Sequence, residues 1–118
     1  MHELGLLTAV VKAVEKTAVA RGATRVEAVG LKVGSMSGAE PEALVGAWPM
    51  ATAGTMVEGA ELLIDWVVAA VWCPTCQANQ EIDEYFALTC PVCGTPTGHL
   101  VGGREFEVSF ADLDHSNS

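Results

Sequence analysis

From Leu4 to Ala18 the apolar residues Leu4, Leu7, Val11, Val14 and Ala18 recur at steps of three and four, the spacing that lays one stripe along a helix. The pattern predicts a first helix, with Gly22 as its stop. The period then changes. Thr24 to Val33 is rich in valine, and Val29, Leu31 and Val33 alternate onto one face, which predicts a strand followed by a turn over Gly34 to Gly38. Pro41 and Glu42 open a second helix, because proline in a first turn loses no needed donor and an early acid suits the helix dipole. Its apolar face is Leu44, Val45 and Trp48. Pro49 removes a bond to the carbonyl four residues back and should kink or end this helix; Gly54 closes it.

Glu61 to Val71 is a second strand, leading directly into Cys73. Trp72 to Leu100 holds every cysteine and almost no helical period, and reads as a separate module. After Gly102 and Gly103, the run Glu105 to Phe110 puts Phe106, Val108 and Phe110 on one side and Glu105, Glu107 and Ser109 on the other. This is a third main strand, returning to the first sheet. The expected fold is therefore α+β: a small sheet flanked by two helices, with a ribbon module. Residues 1–70, completed by a strand over 104–112, form one domain, residues 71–103 form the ribbon, and residues 114–118 form a disordered tail.

Composition narrows the partners. Among 118 residues, half hydrophobic, 15 are acidic and only 6 basic, for a formal charge of -9. Such a surface does not neutralise phosphates or anionic lipid, so neither nucleic acid nor a membrane is expected. Leu4 to Val11 followed by Ala18-Val19-Ala20 imitates a signal peptide, but Glu3 replaces the usual base, and Lys12, Glu15 and Lys16 interrupt the apolar stretch. Trp66 to Trp72 is too short to span a bilayer. The expected location is the cytoplasm, where Cys-x-x-Cys pairs favour metal over disulfides.

The cysteines stand as Cys73-Pro-Thr-Cys76 and, thirteen residues on, Cys90-Pro-Val-Cys93-Gly94. Each pair fits a tight turn that points two sulfurs at one centre, and two such turns complete a tetrahedral four-sulfur shell. A shell filled by protein has no vacancy for substrate, which argues for one structural Zn(II) at Cys73, Cys76, Cys90 and Cys93. Rubredoxin-like iron, an iron–sulfur cluster and two disulfides are the rival readings. The ribbon has little core of its own, so metal should supply much of its folding free energy.

Met1-His2-Glu3 is the second place for chemistry. A terminal amine, the His2 amide nitrogen and the His2 imidazole can close two adjacent chelate rings on one ion, and deprotonated amides favour square-planar Ni(II) or Cu(II). Glu3 can add its amide nitrogen, or steady a nearby group through its carboxylate. The bland alternative is an exposed histidine and an acid that suits the helix dipole. No serine, histidine and carboxylate stand in a catalytic order and no phosphate-binding glycine loop is present, so an enzyme is not expected.

Met1-His2-Glu3-Leu4, Val33-Gly34-Ser35-Met36-Ser37-Gly38, Glu40-Pro41-Glu42-Ala43-Leu44, Glu58-Gly59-Ala60-Glu61-Leu62, both Cys-Pro-x-Cys pairs and Gly102-Gly103-Arg104-Glu105 occur in that order. The arrangement resembles the HypA/HybF family of hydrogenase nickel-incorporation proteins over all but the tail. The resemblance implies a nickel metallochaperone with transferable Ni(II) at Met1, His2 and Glu3 and structural zinc at the four cysteines. It also implies a HypB-type GTPase and the large subunit of [NiFe]-hydrogenase as partners, with urease maturation as a related task, in a monomer or homodimer. The competing function is a zinc-ribbon adaptor that touches partners without carrying nickel.

Three residues depart from the family pattern. Gly5 is costly in a first helix, Pro49 interrupts the second, and Gln77 follows Cys76 where glycine is common. His99, near the ribbon, reads as a surface residue before it reads as a pH-sensitive element, and His115 has no assigned role. Trp48, Trp66 and Trp72 are expected to pack in the core or at hinges.

Overall fold

The computed structural model describes residues 2–83, 89–98 and 100–115. In chain order its elements are α1 (His2–Ala20), β1 (Arg25–Gly34), α2 (Pro41–Thr52), β2 (Glu61–Val67), β3 (Ala70–Cys73), β4 (Ala78–Glu81) and β5 (Phe106–Asp114). These make an α+β fold in which the chain divides into two compact units. One comprises Met1–Lys32, Ala39–Asp65 and Glu107–Ser118, the other Val33–Gly38 and Trp66–Phe106. The division expected after residue 70 thus falls after Asp65, and the turn Val33–Gly38 belongs with the cysteines. No helix among the described residues is long and apolar enough to cross a membrane.

In the first unit α1 buries Leu7, Val10, Val11, Val14 and Ala18. Leu4, expected in this stripe, is only half-buried, and Val10 takes its share. Gly22 stops the helix with φ at 73°, while its amide reaches the Val19 carbonyl and the Ala23 amide reaches Ala18 at 2.9 Å. This pairing satisfies carbonyls that a helix end leaves open.

Helix α2 runs through Pro49 to Thr52 instead of ending at the proline. Its buried face is Leu44, Trp48 and Thr52, spaced by four. Val45, expected beside them, is 57% exposed because it sits about 100° further round the helix. Pro49 is tolerated on the same exposed side. The Thr52 hydroxyl donates to the Trp48 carbonyl at 3.0 Å, and the Trp48 indole donates to Ala60 at 2.8 Å.

The three-stranded sheet has the order β2-β1-β5. Central β1 does not keep the expected alternation, since Ala28 to Leu31 are buried in succession. The Thr24 amide bonds to Asp114 and the Gly34 amide to Glu105, and between these bonds β1 advances one residue more than β5. A Cβ on Gly30 would collide with the Phe110 ring, so that ring covers the sheet where β1 has no side chain.

On the apolar face Phe106, Val108 and Phe110 of β5, Val108 and Phe110 are 38% and 43% exposed. One expectation near the end needs correction. The tail does not begin at Asp114, which closes β5 and whose carbonyl receives both the Thr24 amide and the Thr24 hydroxyl. His115 also lies within the ordered chain, with Nε2 3.1 Å from the Arg21 carbonyl oxygen. Residues 116–118 fall outside the described residues.

The expected strand Glu61–Val71 is two strands in two sheets, and only its part from Trp66 onward falls in the second unit. The break is at Val68 and Ala69, where the Ala69 amide donates to Ser35 Oγ at 2.8 Å and its carbonyl accepts from Ile82 at 2.9 Å. β3 then pairs antiparallel with β4, with Cys73 opposite Ala78. Among the described residues, Ala69, Val71 and Ile82 form an apolar cluster in the second unit, with Met36 and Leu100 against it. Trp48 is core, as expected of the tryptophans, but Trp66 and Trp72 are 43% and 42% exposed.

Candidate metal centres

The two candidate sites read from the sequence lie apart in the chain. The first is built on the β3–β4 turn and the turn opened by Cys90. Cys73 closes β3, and Cys76 follows on the turn, its amide 3.3 Å from Cys73 Sγ. In the other knuckle the Val92 amide lies 3.4 Å from Cys90 Sγ, and the Gly94 amide reaches the Cys90 carbonyl at 2.9 Å. Amides aimed at sulfur favour thiolate over thiol. Gly94 adopts φ of 77°, and Gln77 stands at 52° in the first knuckle. Gln77 therefore takes the left-handed backbone that glycine usually supplies.

All four Sγ atoms lie within 4.8 Å of one another. Cys73 and Cys93 are separated by 3.5 Å and Cys76 and Cys90 by 4.0 Å. Metal–sulfur bonds of about 2.3 Å in a tetrahedron require sulfurs about 3.8 Å apart, so the shell fits a single zinc-sized ion. A disulfide needs about 2.05 Å; the four are free thiols. The cluster is graded in exposure, with Cys73 and Cys90 buried, Cys76 intermediate and Cys93 exposed.

Its protons are graded too. The Cys93 thiol is held down to about 6, first by the Thr95 hydroxyl at 3.1 Å and then by the Thr95 amide. Cys76 is pushed up to about 12, first by hydrogen bonding with Cys93 and Cys73, then by burial. The Thr95 hydroxyl, which the cysteine spacing does not reveal, also lies 3.0 Å from the Thr75 hydroxyl and so links the two knuckles.

The second site is the start of α1. His2 is 60% exposed while Glu3 is only 16% exposed, and His2 Nδ1 lies 3.8 Å from Glu3 Oε2. The Glu3 carboxyl is held below its ordinary value, first because its own backbone amide donates to it; partial burial opposes this, and the Glu40 amide and the charge of His2 lower it further. Glu40 is the residue that sequence reading missed. It precedes Pro41 as the N-cap of α2 and makes no side-chain cap, and its backbone amide meets the Glu3 carboxyl. The only hint was its place beside a helix-opening proline. The first four amides of a helix have no intrahelical acceptor, which leaves the His2 nitrogen chemically available. Met1 and His99 lie outside the described residues.

The chain is similar to known proteins. The family described as "Hydrogenase/urease nickel incorporation, metallochaperone, hypA" matches residues 1–113. A hydrogenase maturation factor HypA of Methylocella silvestris is 36% identical over 114 residues, covering 97% of this chain and 100% of the relative. One from Nitrosospira multiformis is 37% identical over 113 residues, 96% and 97% of the two chains. The fold is similar to the solution structure of the Ni metallochaperone HypA from Helicobacter pylori, with a TM-score of 0.67 at 17% identity over 97% of this chain and 98% of that one.

Proposed function

We propose a function for this chain from the premise that it belongs to the HypA family of hydrogenase/urease nickel-incorporation metallochaperones: it binds Ni(II) at Met1 and His2 and hands it on during maturation of a nickel enzyme. The observation that carries the reading is the contrast between the two sites. Four cysteines form a closed shell, suited to an ion that stays. His2 is exposed at a helix start, suited to an ion that leaves.

Cys73, Cys76, Cys90 and Cys93 would hold zinc, which when bound supplies a tetrahedral cross-link between the two knuckles. For nickel, the Met1 amine, the His2 amide nitrogen and the His2 imidazole are the proposed donors. Glu3 is the least suited of the three residues to give its amide, because that amide already serves its own carboxylate. Its carboxylate instead steadies the helix start and faces His2. A nickel ion held in a plane leaves axial directions open, so an incoming thiolate or imidazole of the receiving protein can bond before the His2 donors depart. The chain thereby acts as a carrier and not as an enzyme.

The receiving proteins in this reading are the large subunit of a [NiFe]-hydrogenase, or a urease, with a HypB-type GTPase as helper, in the cytoplasm. The test is nickel titration of untagged zinc-loaded protein beside its His2→Ala variant. The proposal expects one tight nickel per chain, at least about a 100-fold loss in the variant, and unchanged zinc content and fold. Equal nickel affinity in the two proteins contradicts the assignment and favours a zinc-ribbon adaptor.

A further inference from the structure

Nickel and zinc use the start of α1 and the cysteine knuckles, and neither involves β5. This strand pairs with β1 on one side only, and no described strand pairs with its other edge. An unpaired edge offers a row of backbone donors and acceptors to another extended chain. Alongside it runs a groove of about 440 Å³, lined by Ala13, Val14 and Thr17 of α1, by Arg21 just beyond that helix, and by residues 108–111 and 113 of β5. Ala13 and Thr17 are small, exposed and one helical turn apart, so α1 leaves room for side chains that an added strand would turn toward it. Val108 and Phe110, which belong to the same lining and are 38% and 43% exposed, offer such a strand apolar contacts.

Charge selects the occupant. β5 carries Glu107, Asp112 and Asp114 and no base, and Glu107 and Asp112 are exposed. A second copy of this chain would bring three more acids to the same edge in any register, adding to the repulsion between molecules of formal charge -9. Like charges across a strand pair destabilise it, whereas opposite charges contribute roughly 0.2–1 kcal/mol each. We propose that the free edge of β5 and the α1 groove form a docking site for an extended protein segment of a partner, alternating apolar residues with lysine or arginine, which adds to the sheet as a fourth strand. Backbone pairing supplies the affinity and the acidic edge selects the sequence. The site is independent of whether the amino terminus carries nickel.

The test uses the full zinc-loaded chain and two synthetic peptides, one alternating valine with lysine and one alternating valine with glutamate, followed by amide NMR. The lysine peptide is expected to bind about tenfold more tightly, to weaken with salt, and to shift and protect amides of residues 107–113 together with Ala13 and Thr17. Thr17→Trp, which fills the groove from an exposed helix position, should abolish binding without changing nickel or zinc stoichiometry. The double variant Glu107→Lys with Asp112→Lys should reverse the preference. Failure of both peptides to bind, shifts located elsewhere, unaltered binding by Thr17→Trp, or self-association of the chain through β5 would each overturn the proposal.

Discussion

The two units are held together by different physics. The helix-and-sheet unit buries Leu7, Val11, Val14, Val26, Val29, Leu31, Leu44, Trp48 and Val57, enough apolar surface to oppose the chain entropy lost on folding. Among the described residues of the cysteine unit, the small apolar cluster Ala69, Val71 and Ile82 stands beside four sulfurs. The proposed function turns this contrast into a division of labour: one unit would stand on packing and the other on an ion, and an ion needed for folding is unsuited to being given away.

The sharpest way to break this comparison is to remove a sulfur. Cys90→Ser should eliminate stoichiometric zinc, and because structural zinc contributes on the order of 10 kcal/mol or more in small modules, amide protection should vanish across Trp66–Phe106. Amides of α1 and α2 should stay protected in the same sample. Loss of protection in both units at once would show that they share one stabilising source.

The reverse perturbation is Leu44→Ala. Leu44 is fully buried in α2, and its truncation should destabilise the helix-and-sheet unit by about 2–5 kcal/mol, read by thermal melting of helical circular dichroism. Zinc content should not change.

Acid distinguishes the sites more gently. Nickel donors must be unprotonated to bind, so nickel affinity should fall as pH drops. Glu3 responds later: its carboxyl is lowered from 4.5, so its contribution to folding is complete above 4.5 and is lost only as pH falls through the lowered value. Nickel should therefore leave, in a pH titration followed by its visible absorption, before α1 begins to fray at its start. Simultaneous loss would tie nickel release to unfolding.

The smallest effects come from two misplaced residues. Gln77→Gly removes a left-handed non-glycine from the first knuckle and should stabilise the cysteine unit by about 1 kcal/mol. Gly5→Ala adds a methyl that meets nothing within 4 Å and should stabilise α1 by up to about 1 kcal/mol. Chemical denaturation resolved unit by unit checks that each gain stays where it is made.

This contrast also explains what the amino-acid pattern reveals. Helix α1 is legible because its core positions are a few residues apart and the stripe needs no knowledge of its neighbours. The knuckles are legible because Cys-x-x-Cys geometry is local. The break at Ala69 is not, because Trp66 to Trp72 is evenly apolar and the interruption comes from the distant Ser35 hydroxyl. The strand's continuation to Asp114 is hidden for the same reason, since Thr24 anchors that end. Val45 looks like core on composition, and only the position of Leu44 and Trp48 on the helix turns it outward. At the metal sites the ligand types are readable, while their supports, Thr95 and the Glu40 amide, depend on turns and packing.

The central claim is that the two metals never share ligands. Nickel-edge X-ray absorption on protein holding one zinc and one nickel tests it directly. The account predicts a nickel shell of nitrogen and oxygen donors only, with imidazole scattering from His2 and no sulfur. A sulfur neighbour around nickel would contradict it, placing the transferable ion at the cysteines and removing the distinction between the ion that stays and the ion that leaves.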